Sequence, residues 1–212
     1  MELNTLPYLK QESIWPKDGR HILAQYDNNS IIVYQAYRPA IANYALKHGY
    51  FGGEFKLTRM SWIKPNFLWM MYRSGWATKP GQEIVLAVKI KISFFNSILK
   101  IAISSLFEPE IYLNKQIWKD AVDNSSVRMQ WDPDHDPKGE KLNRRAIQLG
   151  LRNEILKEYS KEAIIEIIDM SDFIESQREH VNSGDFSKLE TPKEEVYLPK
   201  DEEVIKKLKL SV

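Results

Sequence analysis

The stretch EIVLAVKIKIS, residues 83–93, sets the first limit on what this chain can fold into. After a solid apolar start, Val85 and Ala87 alternate with Val88, and Lys89 and Lys91 then fall opposite Val88, Ile90 and Ile92. Period-two alternation is the mark of a β-strand, here a long one, buried at its beginning and exposed on one face at its end. Its backbone donors and acceptors need neighbouring strands. HILAQYD and IIVYQAY supply a hairpin, joined at the turn Asp27-Asn28-Asn29-Ser30. In the second arm Ile31, Val33, Gln35 and Tyr37 share one face, and Ile32, Tyr34 and Ala36 share the other. Pro39 then suits the first turn of a helix, PAIANYALKHG, which Gly49 ends.

Further helices are expected at SFFNSILKIAI, at NKQIWKDAVDNS with Asn114 as cap, and at SDFIESQREHVNSGDFSKL up to Gly184. VRMQWD and AIIEIIDM read as strands, and RRAIQLGL reads as a strand or a strand running into a helix. Because strands and helices mix without regular βαβ alternation, the expected class is α+β, with a mixed, mainly antiparallel sheet flanked by helices. Residues 1–190 are expected to form a single domain. Residues 191–212, proline-spaced and rich in charge, are expected to be a loosely packed tail or a short terminal helix.

There is no cysteine, which excludes a disulfide framework, a thiolate metal site and a cysteine nucleophile. No cationic stretch leads into an apolar run, and no apolar run approaches the roughly 20 residues that span a bilayer, so a cytoplasmic protein without membrane contact is expected. The formal net charge of +1 hides an asymmetry. Between Asp27 and Glu83 the only acid is Glu54, against Arg38, Lys47, Lys56, Arg59, Lys64, Arg73 and Lys79. Such a local positive field attracts phosphates.

The segment WIKPNFLWMMYRSGW, residues 62–76, lies inside that basic half. Pro65 fits the first position of a helix running to about Arg73, and Gly75 fits a left-handed cap. Phe67, Met70 and Met71 can enter the core, which leaves Trp69, Tyr72 and Arg73 along a shared edge. Aromatics beside cations can stack a base and neutralise a phosphate; the simpler alternative is core packing with snorkelled cations. Arg144 and Arg145 can clamp a phosphate or carboxylate, with Gln148 as a nearby amide. The common dinucleotide, P-loop, zincin and hydrolase motifs are absent. Asp132, Asp134 and Asp136 in DPDHDP can hold a hard cation, but a rigid proline-bounded turn accounts for the same residues, and no metal is predicted.

IIVYQAYRPAIANYAL, TRMSWIKPNFLWMMYRSGWATKPGQEIVLAVKI, VRMQWDPDHD and RAIQLGL, in that order, resemble the domain of unknown function 4291 family over most of residues 20–175. That resemblance implies kinship and no activity. The succession of YQAY, a helix ending at Gly49, a basic aromatic segment and IVLAVKI is also similar to ADP-ribosyltransferases and RNA 2'-phosphotransferases. This second resemblance implies that Tyr34 and Gln35 lie at the nicotinamide-ribose end of a cleft and that Tyr72 stacks on the ligand. Gln35 stands where the motif of those enzymes has histidine. The expected function is nucleotide binding, with NAD as the cofactor and ADP-ribosyl or nucleotidyl transfer to nucleic acid as the reaction. The alternative is a non-catalytic RNA or single-strand binding module. Gln35, Tyr72 and Gln148 are the expected catalytic residues, and Tyr34, Tyr37, Arg38, Arg59, Lys64, Trp69, Arg73, Arg144 and Arg145 the expected ligand contacts.

Overall fold

The computed structural model describes residues 3–211. In chain order the elements are β1 (Thr5–Pro7), α1 (Tyr8–Ile14), β2 (Ile22–Ala24), β3 (Ser30–Tyr37), α2 (Pro39–His48), β4 (Ser61–Ile63), α3 (Phe67–Ser74), β5 (Ile84–Lys91), α4 (Ile92–Ile101), β6 (Ile103–Ser104), α5 (Lys115–Asn124), β7 (Val127–His135), β8 (Lys141–Leu151), α6 (Asn153–Ser160), β9 (Ile164–Asp169), α7 (Ser171–Ser183), β10 (Glu190–Pro192), β11 (Glu195–Tyr197) and α8 (Glu202–Leu208).

Two sheets carry the fold. The first is antiparallel, in the order β3-β5-β9, with Val33 opposite Val88 and Gln35 opposite Leu86. The second runs β4-β8-β7-β6; its β4-β8 and β7-β8 pairs are antiparallel, and the two-residue β6 pairs in parallel with β7. A single bridge between Tyr34 and Lys64 joins the two. The chain is therefore α+β with mainly antiparallel pairing.

Alternation along β3 produces two cores. Ile31 and Val33 point into one, filled by Phe94, Phe95, Ile98 and Leu99 of α4, Leu156 and Tyr159 of α6, and Met129, Ile147 and Leu149 of the second sheet. Ile32 and Tyr34 point into the other, filled by Phe67 and Met71 of α3, Ile174 of α7 and Tyr8 of α1. The first sheet is thus covered on both sides. Each fully buried aliphatic or aromatic side chain contributes about 1.5–3 kcal/mol, so both faces of β3 and β5 are held firmly.

Local signals account for most boundaries. Asp27 Oδ1 accepts from the Asn29 and Ser30 amides, which closes the first turn. Asn114 caps α5 by accepting from Ile117 N, and Gly49, Gly75 and Gly184 end α2, α3 and α7 in the left-handed region. The start of α3 differs from expectation: Asn66, rather than Pro65, sets it by accepting from Trp69 N at 2.7 Å. The DPDH stretch also differs, because it continues β7 instead of forming a turn. The register shifts between Pro133 and His135, which accommodates the missing proline N–H. Helix α1 has no counterpart in the sequence expectations; RRAIQLGL is strand throughout, and the helix that could follow it, α6, begins only at Asn153.

Beyond Thr191, where a tail or terminal helix is expected, β10 pairs with β1, β11 pairs with β2, and α8 packs Val204 and Leu208 into the first core. Among the described residues no helix is long and apolar enough to cross a membrane.

Candidate functional site

The bridge between Tyr34 and Lys64 positions a cleft. Tyr34 N donates to Lys64 O at 2.7 Å, and Lys64 N returns a bond to Tyr34 O at 3.3 Å. The end of β3, the short β4 and the start of α3 are held together there. The cleft has a volume of about 570 Å³ and is lined by Gln35, Tyr37, Arg59, Ser61, Trp62, Lys64, Met70, Arg73, Gln82, Gln130 and Gln148, among others. A second hollow of about 470 Å³, lined by Arg38, Glu54 and Lys56, shares Tyr37, Arg59, Met60, Ser61 and Gly81 with it. The two are compartments of one groove.

Hydrogen bonds fix the wall of the cleft. Gln35 Nε2 donates to Ser61 Oγ at 2.9 Å and Trp62 O at 3.1 Å, while Gln35 Oε1 accepts from Tyr159 OH at 2.7 Å. Both amide hydrogens of Gln35 are engaged and the residue is buried, so it ties β3 to β4 and α6. Tyr37 OH lies 2.9 Å from Ser61 Oγ, and burial raises the Tyr37 hydroxyl above the ordinary phenol range. Trp62 sits opposite Gly150 of β8. A Cβ on Gly150 would lie 2.6 Å from Met60 Sδ and 3.0 Å from the Trp62 ring, so glycine is what lets this wall close.

The floor comes from β7 and β8. Gln130 and Gln148 are cross-strand partners, and both side chains donate to Asp132, at 2.8 Å and 2.6 Å. Above them, Lys64 is buried with its Nζ 4.9 Å from the centroid of the Trp69 ring. Burial, with Arg73 adding repulsion, lowers the Lys64 ammonium to about 8, and Asp132 partly counteracts this. Among the described residues Arg73 Nη1 donates to the neutral Gln82 Oε1, at 3.2 Å, and has no carboxylate partner, while exposed Arg38 is paired with Glu54. The cleft therefore holds cationic charge that its own carboxylates do not neutralise.

The expected residues divide between this groove and other places. Gln35, Tyr37, Arg38, Arg59, Lys64, Arg73 and Gln148 line the groove. Tyr34 is fully buried against Phe67, their ring centroids 5.5 Å apart. Trp69 is 6% exposed and Trp76 is 8% exposed, so they belong to the interior, whereas half-buried Trp62 faces the cleft. Tyr72 is exposed, but one ring face stacks on His135 at 3.5 Å, and Lys79 Nζ lies 5.6 Å from its centroid. Arg144 is buried in an ion pair with Asp134 at 2.5 Å and lies over Trp15. Arg145 opens instead onto a hollow of about 350 Å³ with Arg20 and Lys209.

Sequence reasoning did not select Trp62, Gln130 or Ser61, and it weighed Asp132 only as a ligand for a cation. The pairing of Gln130 with Gln148 depends on strand register, which no local pattern reveals. Asp132 and Asp134 have separate partners, and among the described residues no three histidine or acidic side chains are grouped to hold a metal ion.

The fold and site define an α+β protein with a basic, glutamine-floored groove between two sheets. The family model described as Domain of unknown function (DUF4291) matches residues 21–197, and the chain belongs to that family. No curated protein matches it.

Proposed function

We propose that the groove binds a nucleotide such as NAD, with its phosphates between Arg59 and Arg73 and its base or nicotinamide against Trp62. The observation that carries this reading is the convergence of Arg59, Lys64 and Arg73 on one cleft whose other polar lining is largely amide and hydroxyl. Cations without local acidic partners attract a ligand that brings its own negative charge, and guanidinium groups match phosphate oxygens in pairs. The cavity is also large enough to hold much of a nucleotide.

The finer reading is transfer of an ADP-ribosyl or nucleotidyl group to nucleic acid. Breaking a glycosidic bond to ribose creates positive charge on the sugar, which a fixed carboxylate stabilises. Asp132, held by two residues that line the cleft, Gln130 and Gln148, suits that role. In this reading Gln35 positions the wall, and Gln148 acts by orienting Asp132.

A tryptophan-fluorescence titration with NAD, beside ATP and a short single-stranded RNA, tests the reading. Saturable quenching by NAD at micromolar concentration, weakened at least tenfold in Arg73→Ala, is the expected result. A response to RNA alone that fades steeply with salt would replace it with single-strand binding. Silence from all three ligands would refute both.

A further inference from the structure

Phosphate binding by Arg59 and Arg73 leaves one group in the cleft without a task, the amine of Lys64. Its backbone is fixed, because Lys64 and Tyr34 exchange hydrogen bonds in both directions. The residue is 4% exposed yet lines the cavity. Its Nζ approaches the face of Trp69, and the charges that act on it are Arg73 and, more weakly, Asp132, neither of them an ion-pair partner. A lysine on a protein surface is an ammonium with no free electron pair. Enclosed beside a second cation, it releases its proton more readily, and the neutral amine is a nucleophile.

We propose that Lys64 forms an imine with the carbonyl carbon of a phosphorylated aldehyde or ketone, whose phosphate rests on Arg59 and Arg73. An open-chain sugar phosphate carries both groups. This chemistry rests on the anion-binding reading of the cleft, but it does not require the ligand to be NAD. The Nζ lone pair forms the C–N bond as the carbonyl π pair moves to oxygen, which takes up a proton. The hydroxyl then leaves as water after a second protonation, and nitrogen loses its remaining protons. Amine and carbonyl give imine and water, so no oxidant or reductant is needed.

Pyridoxal 5'-phosphate is the probe. The full chain is incubated with less than one equivalent, reduced with borohydride, and mapped by peptide mass from pH 6 to 9. The expected result is label on the peptide containing Lys64 at least tenfold above exposed lysines such as Lys100 and Lys157. The extent should rise with pH around 8, fall with added inorganic phosphate, and drop at least tenfold when pyridoxal without phosphate is used. Label spread over the exposed lysines, with Lys64 unmodified, would overturn the proposal. So would label on Lys64 that neither phosphate nor Arg59→Gln changes. The mapping uses the unaltered chain, so it does not depend on a Lys64 variant folding. Lys64 labelled while NAD fails to bind would keep the imine and remove NAD as ligand; NAD bound while Lys64 stays unlabelled would do the reverse.

Discussion

Gln35→Ala separates a scaffold role from a ligand role at the centre of the groove. The substitution removes three hydrogen bonds, to Ser61 Oγ, Trp62 O and from Tyr159 OH. At about 1 kcal/mol net for each, the direct loss is about 3 kcal/mol. Tyr159 is fully buried, and its hydroxyl would lose its acceptor, which adds about 1–2 kcal/mol. The expected destabilisation of about 4–5 kcal/mol is a large share of the roughly 5–15 kcal/mol that holds a typical domain. In urea, with a slope of about 2–3 kcal/mol per molar, the midpoint should fall by roughly 1.3–2.5 M. Below that midpoint, nucleotide affinity should remain within about threefold of the parent, because the cationic side chains are untouched. An unchanged midpoint with binding abolished would refute the scaffold role and make Gln35 a ligand contact.

Other substitutions probe the surrounding framework. Arg144→Ala should cost about 3–5 kcal/mol in urea unfolding, because it leaves Asp134 buried without its partner, while NAD binding persists. Asn66→Ala should cost about 1–2 kcal/mol through loss of the α3 cap, read from the same curves. Glu194 is buried and accepts from Phe67 N at 2.6 Å; burial raises its carboxyl well above the usual range, so the folded state favours the protonated form. Its contribution to stability is greatest below the ordinary carboxylate range and declines as pH rises through the folded value. Glu194→Gln should therefore be the more stable protein at pH 7, with the difference closing under acid; a difference that widens under acid would contradict that assignment. Lys64→Met should raise stability at pH 7 by about 2–3 kcal/mol, since it removes an ammonium lowered to about 8 by burial, and the gain should shrink as pH rises above 8.

Much of the fold was legible because the deciding signals are local. Alternation in 31–37 assigned Ile31 and Val33 to one core and Ile32 and Tyr34 to the other, as the structure has them. Glycines 49, 75 and 184 marked helix ends because only a left-handed residue closes those turns easily. Helix α6 was obscured because NEILKEYS buries only Leu156, Tyr159 and Ser160, too few for a clear stripe. The tail looked solvated by composition, yet Thr191 and Tyr197 are buried by pairing with strands from the start of the chain, and Glu194 between them is buried against Gln11 and Phe67. Such long-range pairing leaves no trace in a window of ten residues. For the site, the basic charge between Asp27 and Glu83 pointed to Arg59, Lys64 and Arg73. It did not distinguish Trp62, which faces the groove, from Trp69 and Trp76, because that choice depends on where β4 ends and α3 begins.

The central claim is that uncompensated cations in this groove bind a nucleotide. Calorimetric titration of NAD into the parent chain and into Arg59→Ala/Arg73→Ala, at two salt concentrations, tests it most directly. The parent should show one saturable site that weakens with salt, and the double variant at least a hundredfold loss, about 2.7 kcal/mol, with its unfolding curve unchanged. Equal affinity in both proteins, or no heat of binding in the parent, would contradict it.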